Sequence, residues 1–442
     1  MDNMDDMDGM DKTHVRRQGS FCPRCPYRPY CPYRPSGTPA RPFHFPPRLG
    51  KIGSMNTTTF FIPTRVAYCA GAFAQLGALC APLGTRPFVV TGRRSARESG
   101  LLDRVLAVFP EAVVFDEVEE NPGVAVCARG GEHCRAAGCD FVLALGGGSP
   151  MDAAKAVAVL ARQDAPGSAL FSAPAGEADV LPLAAVATTS GTGSEVTPYS
   201  VLLDPDTGMK RTLRGPGLFP RVAVVDPELT VSMPAAVTAA TGLDALSQAM
   251  EGMVSRTATP VGDALALEAC TLARRWLPVA VREPENLEAR SGMSLAALLS
   301  GMVIAHSGTT VVHGMGYYYT LEFGLAHGLA NALLFPPVFA FNAFAVPERV
   351  GRIAVALGLC AVPPPDPGAL ARLVYDGLTG ILRDAGVAPH AAAHGVSEVD
   401  AIRFAKDIAK DPYRFRNQPG TLDGKTLCAL FLSSVRGEFP CL

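Results

Sequence analysis

Phe141-Val142-Leu143-Ala144-Leu145-Gly146-Gly147-Gly148-Ser149-Pro150-Met151-Asp152 joins an apolar run to an Ala-rich one through three glycines. The run Phe141 to Leu145 predicts a buried strand, and Asp152 to Ala161 predicts a helix. Glycines at a strand's end let backbone approach a diphosphate, and the following helix N-terminus offers free N–H donors and a positive dipole end. Pro150 suits a first helical turn, where its missing N–H costs nothing. The competing reading is a plain tight turn capped by Ser149. We favour a diphosphate cradle formed by Gly146, Gly147, Gly148 and Ser149, with Asp152 one turn further on.

Outward from this turn, strands and helices alternate. Strands are expected at 86–91, 112–118, 183–188 and 221–225, and helices at 97–109 and 124–137. Such alternation over short loops implies a parallel sheet covered on both faces. After Pro234 the strand signal fades, and 235–255, 261–279, 286–304 and 347–359 read as helices. The expected organisation is a nucleotide-binding α/β domain over 55–235 and a helical metal and substrate domain over 236–442. Residues 1–54 read as a disordered Pro/Cys-rich extension, because repeated Pro forbids helix. A zinc site from Cys22, Cys25, Cys31 and His44 is weighed there and disfavoured by ligand spacing.

At 442 residues the chain is long for one core. Hydrophobic residues make up 48% and charged residues 18%, a globular balance, and the net charge of −2 points to neither nucleic acid nor an acidic membrane. Of twelve Cys, most stand singly among apolar neighbours (Cys69, Cys80, Cys127, Cys139, Cys270, Cys360, Cys428), which reads as reduced core thiols. No run reaches the ~18–20 uninterrupted apolar residues of a membrane span. A cytoplasmic enzyme is therefore expected.

Three further motifs bear chemistry. Thr188-Thr189-Ser190-Gly191-Thr192-Gly193-Ser194-Glu195-Val196-Thr197 follows a strand, and small hydroxyl residues there suit a nucleotide crevice, although a plain Ser/Thr loop looks the same. Asp244 and Gln248 are four apart and share one helix face, where an Asp needs a cation or a donor. His313 and His327 each lie in an apolar, Gly-containing stretch. A lone such His is more often a core residue; two of them with a buried Asp favour a metal.

In this order and spacing the motifs resemble the iron-containing (group III) alcohol dehydrogenase family, over roughly residues 58–435. The resemblance implies a Rossmann-like parallel α/β domain followed by an all-helical domain, as in dehydroquinate synthase. It implies NAD(P)H-dependent hydride transfer between nicotinamide and a small aldehyde or primary alcohol, with Fe²⁺ or Zn²⁺ assisting. Cofactor contacts would fall on Asn121, Gly146, Gly147, Gly148, Ser149, Asp152, Thr188, Thr189, Thr192, Thr197 and Lys210. Metal ligands would fall on Asp244, Gln248, His313 and His327. This chain departs from the pattern at Gln248, where a His is expected, so weaker metal binding is implied. It also has Tyr317 where many members carry another His, which makes Tyr317 a candidate proton donor beside His313 and His327. A homodimer or higher homo-oligomer is expected.

Two other readings stay open: a metal-independent reductase like maleylacetate reductase, and a catalytically silent nucleotide-binding homologue. Arg414 and Arg416 are candidates for meeting an anionic substrate, against the blander reading of solvated surface charge. The turn Gly92-Arg93-Arg94-Ser95, after the first expected strand, lacks the acidic residue that NAD-selective sites place there. It offers two guanidinium groups instead, so NADP is the preferred expectation and NAD the alternative. Met55 reads as an alternative start; a chain beginning there is expected to stay soluble and keep turnover. Loss of soluble protein on that truncation would contradict the reading.

Overall fold

Strand β4 (Phe141–Gly146) is buried along its whole length, as are β5 (Leu183–Ala187) and β8 (Val222–Val225). Strands buried on both faces belong to the centre of a parallel sheet. With β1 (Arg65–Tyr68), β2 (Pro87–Gly92) and β3 (Val113–Val118) they form one six-stranded sheet in the order β1-β8-β5-β4-β2-β3. Every pairing in it is parallel. This computed structural model describes residues 58–163 and 167–441. The expectations for residues 1–54, the zinc arrangement and the Met55 start included, lie outside the described residues.

Alternate side chains feed two separate cores. Phe88, Val90, Val142 and Ala144 pack into one, with residues of α2 (Val124–Ala136) and α3 (Gly148–Leu160). Val89, Phe141, Leu143 and Leu145 pack into the other, with α1 (Leu101–Val108). The sheet is thus covered on both faces, as the sequence predicts. The chain then becomes helical, through α4 (Ala235–Val254), α5 (Pro260–Arg282), α6 (Leu287–Ser307), α7 (Val311–Phe323) and α8 (His327–Ala332). It ends with α9 (Phe335–Ala345), α10 (Pro347–Ala356), α11 (Pro367–Asp384), α12 (Glu398–Ile408) and α13 (Gly424–Arg436), counting helices of six residues or more. One large apolar core joins these helices.

Several local expectations change. The helix expected at 97–109 is two pieces, Ser95–Glu98 and α1, because Gly100 takes φ 71° between them. The helix expected from Asp152 begins at Gly148, so the glycine turn is itself the first helical turn. The strand preceding the Gly92 turn is the second, not the first, since β1 precedes it. An antiparallel hairpin of β6 (Tyr199–Leu203) and β7 (Lys210–Arg214) was not expected. Its Lys-Arg-Thr-Leu-Arg strand is mostly exposed and reads as polar loop. Among the described cysteines none forms a disulfide; Cys80, Cys127, Cys134 and Cys270 are buried, whereas Cys69 is exposed rather than core.

Helix α6 is long and apolar enough to cross a membrane, but 67% of its most apolar window is buried inside the fold. It supports the sheet's C-terminal edge. Gly193 takes φ 60° and lies on Gly301 of α6, where an added Cβ would come within 2.7 Å of the Gly193 Cα. Ser190 and Ser294 share a hydrogen bond of 3.0 Å across the same contact.

Candidate active site

The sheet's chain order reverses between β2 and β4, so a crevice opens beyond their C-terminal ends, where ligands of open α/β sheets sit. Gly92 ends β2 and Gly146 ends β4. Gly146 takes φ 150°, a conformation that side chains rarely adopt. A Cβ on Gly147 would lie 2.9 Å from the Thr189 Oγ1, and one on Gly148 would lie 2.8 Å from the Thr192 Cγ2. The two small-residue motifs therefore pack directly on each other, and only glycine permits it. Thr188 N–H donates to the Gly146 carbonyl at 3.1 Å. Asn121, beyond β3, has φ 55° and is the one non-Gly residue with positive φ among the described residues. Arg93, Arg94 and Ser95 are exposed; Arg93 lies 3.7 Å from Glu119.

One buried cation ties these pieces together, and the sequence reading missed it. Lys155, on α3, is 1% exposed. Its Nζ donates to the Ser194 Oγ (2.8 Å), the Thr197 carbonyl (2.9 Å) and Oγ1 (3.1 Å), and the Tyr199 carbonyl (2.7 Å). Burial lowers its pKa to about 8, with Asp152 and Glu195 opposing. Asp152 accepts from the Ser194 Oγ (3.1 Å) and the Val201 N–H (3.0 Å). Asp152 and Thr197, both expected to contact cofactor, are thus engaged in fastening the threonine loop and β6 to α3. Lys155 stands in an Ala/Val helix, and a mismatched charge on that face was the available signal.

Lys210, at the start of β7, lies between the crevice and the helical half. Burial pulls its pKa down, while Asp152, Glu120 and Asp244 oppose. Its Nζ lies 5.4 Å from the centre of the Tyr317 ring, which in turn stacks on His327 with centroids 5.7 Å apart. Burial pushes the Tyr317 phenol up to about 12, with Arg414 opposing. Arg414 is mostly buried and lies 5.7 Å from the same ring, whereas Arg416 is exposed.

Asp244, His313 and His327 converge, their ligand atoms all within 4.8 Å of one another. The Asp244 Oδ1 lies 3.5 Å from the His313 Nε2 and 3.9 Å from the His327 Nε2. The approach needs Gly328, since a Cβ there would collide with the Ala240 carbonyl of α4. Asn331 donates through Nδ2 to the Asp244 Oδ1 (3.1 Å) and contacts the His327 Nε2 (3.2 Å). Burial opposes charge on His313, but Glu251 and Asp244 outweigh it and push the pKa up to about 10. Burial takes His327 the other way, to about 3, despite Asp244. Gln248 does not face this cluster with its oxygen. Its Nε2 donates to the Asp244 Oδ2 (2.9 Å), and its Oε1 accepts from the Ser300 Oγ (3.2 Å).

Ligand atoms about 2.1 Å from one ion at tetrahedral angles stand roughly 3.4 Å apart. The separations of 3.5 and 3.9 Å are close to that. One carboxylate and two imidazoles also form a donor set suited to divalent iron or zinc. The residues present therefore fit a divalent ion.

Residues 63–227 match the family model described as iron-containing alcohol dehydrogenase, and residues 238–435 match the corresponding C-terminal model. The chain belongs to the iron-containing alcohol dehydrogenase family. It is 35% identical over 368 residues to the choline dehydrogenase of Bacillus subtilis, covering 81% of this chain and 90% of that protein. It is 33% identical to the NAD-dependent methanol dehydrogenase of Bacillus methanolicus, covering 80% and 94%. The crystal structure of a 1,3-propanediol oxidoreductase superposes with a TM-score of 0.79 at 31% identity, covering 86% of this chain and all of that one. Nicotinamide-dependent alcohol dehydrogenase activity follows for this chain.

The Lys155 network gives a direct prediction. Lys155→Met leaves the Thr197 and Tyr199 carbonyls and the Ser194 and Thr197 hydroxyls without their donor, and each buried acceptor left unmatched costs about 1–3 kcal/mol. The denaturant midpoint should fall accordingly; an unchanged midpoint would show that the network carries little of the fold's stability.

Proposed function

We propose that this dehydrogenase reduces small aldehydes, and oxidises the matching primary alcohols, with one divalent ion and with NADPH preferred over NADH. The observation that carries the metal reading is the convergence of buried Asp244 and His313 with partly exposed His327. These three residues would hold the ion, Fe²⁺ or Zn²⁺. Gln248 would act on it through Asp244, as the donor to its second oxygen. When bound, the ion supplies Lewis-acid polarisation of a carbonyl oxygen, and the reduced nicotinamide supplies the hydride.

The chain's own residues do the rest. The α3 N-terminus and the glycine turn offer N–H groups and positive dipole to a diphosphate. Thr188, Thr189 and Thr192 line that turn's other wall, and Lys210 marks the passage toward the metal cluster. Tyr317 holds its proton through the neutral range and lies on His327, so it is our candidate donor of the proton that completes the alcohol. A cytoplasmic homo-oligomer without nucleic-acid or membrane partners is the setting we propose, supported by the near-neutral charge.

The cofactor preference rests on Gly92, Arg93, Arg94 and Ser95. All three side chains are exposed beside the crevice, and no carboxylate of the turn itself repels a 2′-phosphate. A Cβ at Gly92 would meet only the Val118 carbonyl (3.7 Å) and the Pro150 Cγ (3.9 Å), so an Asp fits there. Comparing kcat/KM for the two cofactors tests the reading. Charge-assisted contacts to a phosphate, ~1.5–3 kcal/mol, correspond to about ten- to hundredfold in favour of NADPH. Gly92→Asp should shift the ratio toward NADH; a wild-type preference for NADH of about tenfold or more would overturn the proposal.

Gln248→His adds an imidazole where the amide now stands and should tighten binding of added Zn²⁺, read by chelator competition. An unchanged affinity would show that position 248 has no access to the ion.

A further inference from the structure

Glu251 lies seven residues beyond Asp244 on α4 and is fully buried. Four donors meet its two oxygens. Oε1 accepts from the Ser247 Oγ at 2.9 Å and from the His313 Nδ1 at 2.5 Å. Oε2 accepts from the Thr310 N–H and the Thr310 hydroxyl, both at 2.7 Å. Ser247, Thr310 and its backbone are able to donate here, and an ionised carboxylate is an acceptor only, so the set is fully matched. Such a carboxylate is costly to bury, and these four bonds are what offset the cost.

The placement has a consequence for His313. Once an ion displaces the second proton, a ring whose Nδ1–H is given to a carboxylate presents the lone pair of Nε2 on its other side. That Nε2 is the atom facing Asp244 at 3.5 Å. Thr310 immediately precedes α7, so Glu251 grips both the start of the His313 helix and the His313 ring itself. The second imidazole has no such support, for the His327 Nδ1 is buried without a hydrogen-bond partner. With Gln248 turned toward Asp244 and Ser300, the aim of His313 weighs more in this cluster than it would with a fourth ring beside it.

We infer that Glu251 is a positioning residue, which fixes the tautomer and direction of His313 so that its Nε2 is ready to bind a divalent ion. The inference rests on the proposed metal reading and adds to it a residue outside the ligand set. Acting through His313, Glu251 touches neither substrate nor cofactor. Carboxylates placed behind a ligating imidazole raise its basicity as well as orient it, and their loss typically weakens metal binding about ten- to hundredfold.

Co²⁺ and Zn²⁺ affinities of the full chain, measured by chelator competition, provide the test, alongside the melting temperature of each metal-stripped variant. Glu251→Gln keeps the shape but sets an NH₂ against donors, and should weaken both ions about ten- to hundredfold. It should also change the Co²⁺ absorption spectrum, because the ring moves. If Glu251 only braces the fold, the melting temperature drops while affinity and spectrum stay at wild-type values, and the inference is overturned. Should Glu251→Gln fail to fold, Thr310→Val removes one bond to the far oxygen, and a severalfold weaker affinity is expected; wild-type affinity there overturns it equally. Wild-type protein that binds neither ion would overturn the metal reading itself, a result distinct from a wild type that binds and a Glu251→Gln that binds equally well.

Discussion

The charge of Asp244 has to be satisfied within the protein, and most of the site follows from that constraint. A carboxylate 2% exposed would lose several kcal/mol to desolvation if left unpaired. Its two oxygens are met by Gln248 and Asn331, and the two imidazoles close in beside them. Gly328 lets the His327 helix approach α4 closely, and Glu251 and Thr310 bring the His313 helix in from the other side. Three helices are thereby held around one negative group. A cation placed among Asp244, His313 and His327 would draw on the same three groups, the fourth position, Gln248, being turned to Asp244 and Ser300.

A second buried charge organises the nucleotide side in the same manner. Lys155 pulls Ser194, Thr197 and Tyr199 onto α3, and Asp152 fastens β6 to the same helix. The glycine turn and the threonine loop then meet without any side chain between them. Lys210 is acted on by both sets, Asp152 of the one and Asp244 of the other each opposing the fall that burial imposes on its pKa. Hydride transfer across the gap between the halves needs both in register, and the Gly193–Gly301 contact packs them closely together.

What was legible in the sequence follows from burial. The strands at 87–92, 141–146, 183–187 and 222–225 announce themselves because central strands are apolar on both faces, and the edge strand at 113–118 does so through Val113, Val114 and Phe115. The half-buried Arg65–Tyr68 strand does not, since its partner Val222–Val225 lies far away in sequence, and the hairpin does not, since its Lys210–Arg214 strand is polar and mostly exposed. Asp244, His313 and His327 stood out as polar residues in apolar stretches, and the structure brings them together. Lys155 and Glu251 are equally odd for their helices, but most of their partners, Ser194, Thr197 and Tyr199 for the one and Thr310 and His313 for the other, come from elements distant in sequence. Gln248 shows the limit of spacing: one helix face with Asp244 was correct, yet whether the amide turns toward the ion or toward Asp244 depends on Ser300, 52 residues on.

We propose that this chain transfers hydride only with an ion held by Asp244, His313 and His327. The most direct measurement is aldehyde reduction by protein stripped with a chelator, its metal content verified by elemental analysis, before and after Fe²⁺ or Zn²⁺ is restored. Activity should vanish on stripping and return as about one ion binds per chain. Full activity in the verified metal-free protein would contradict the account and leave His313 and His327 to act on the substrate directly.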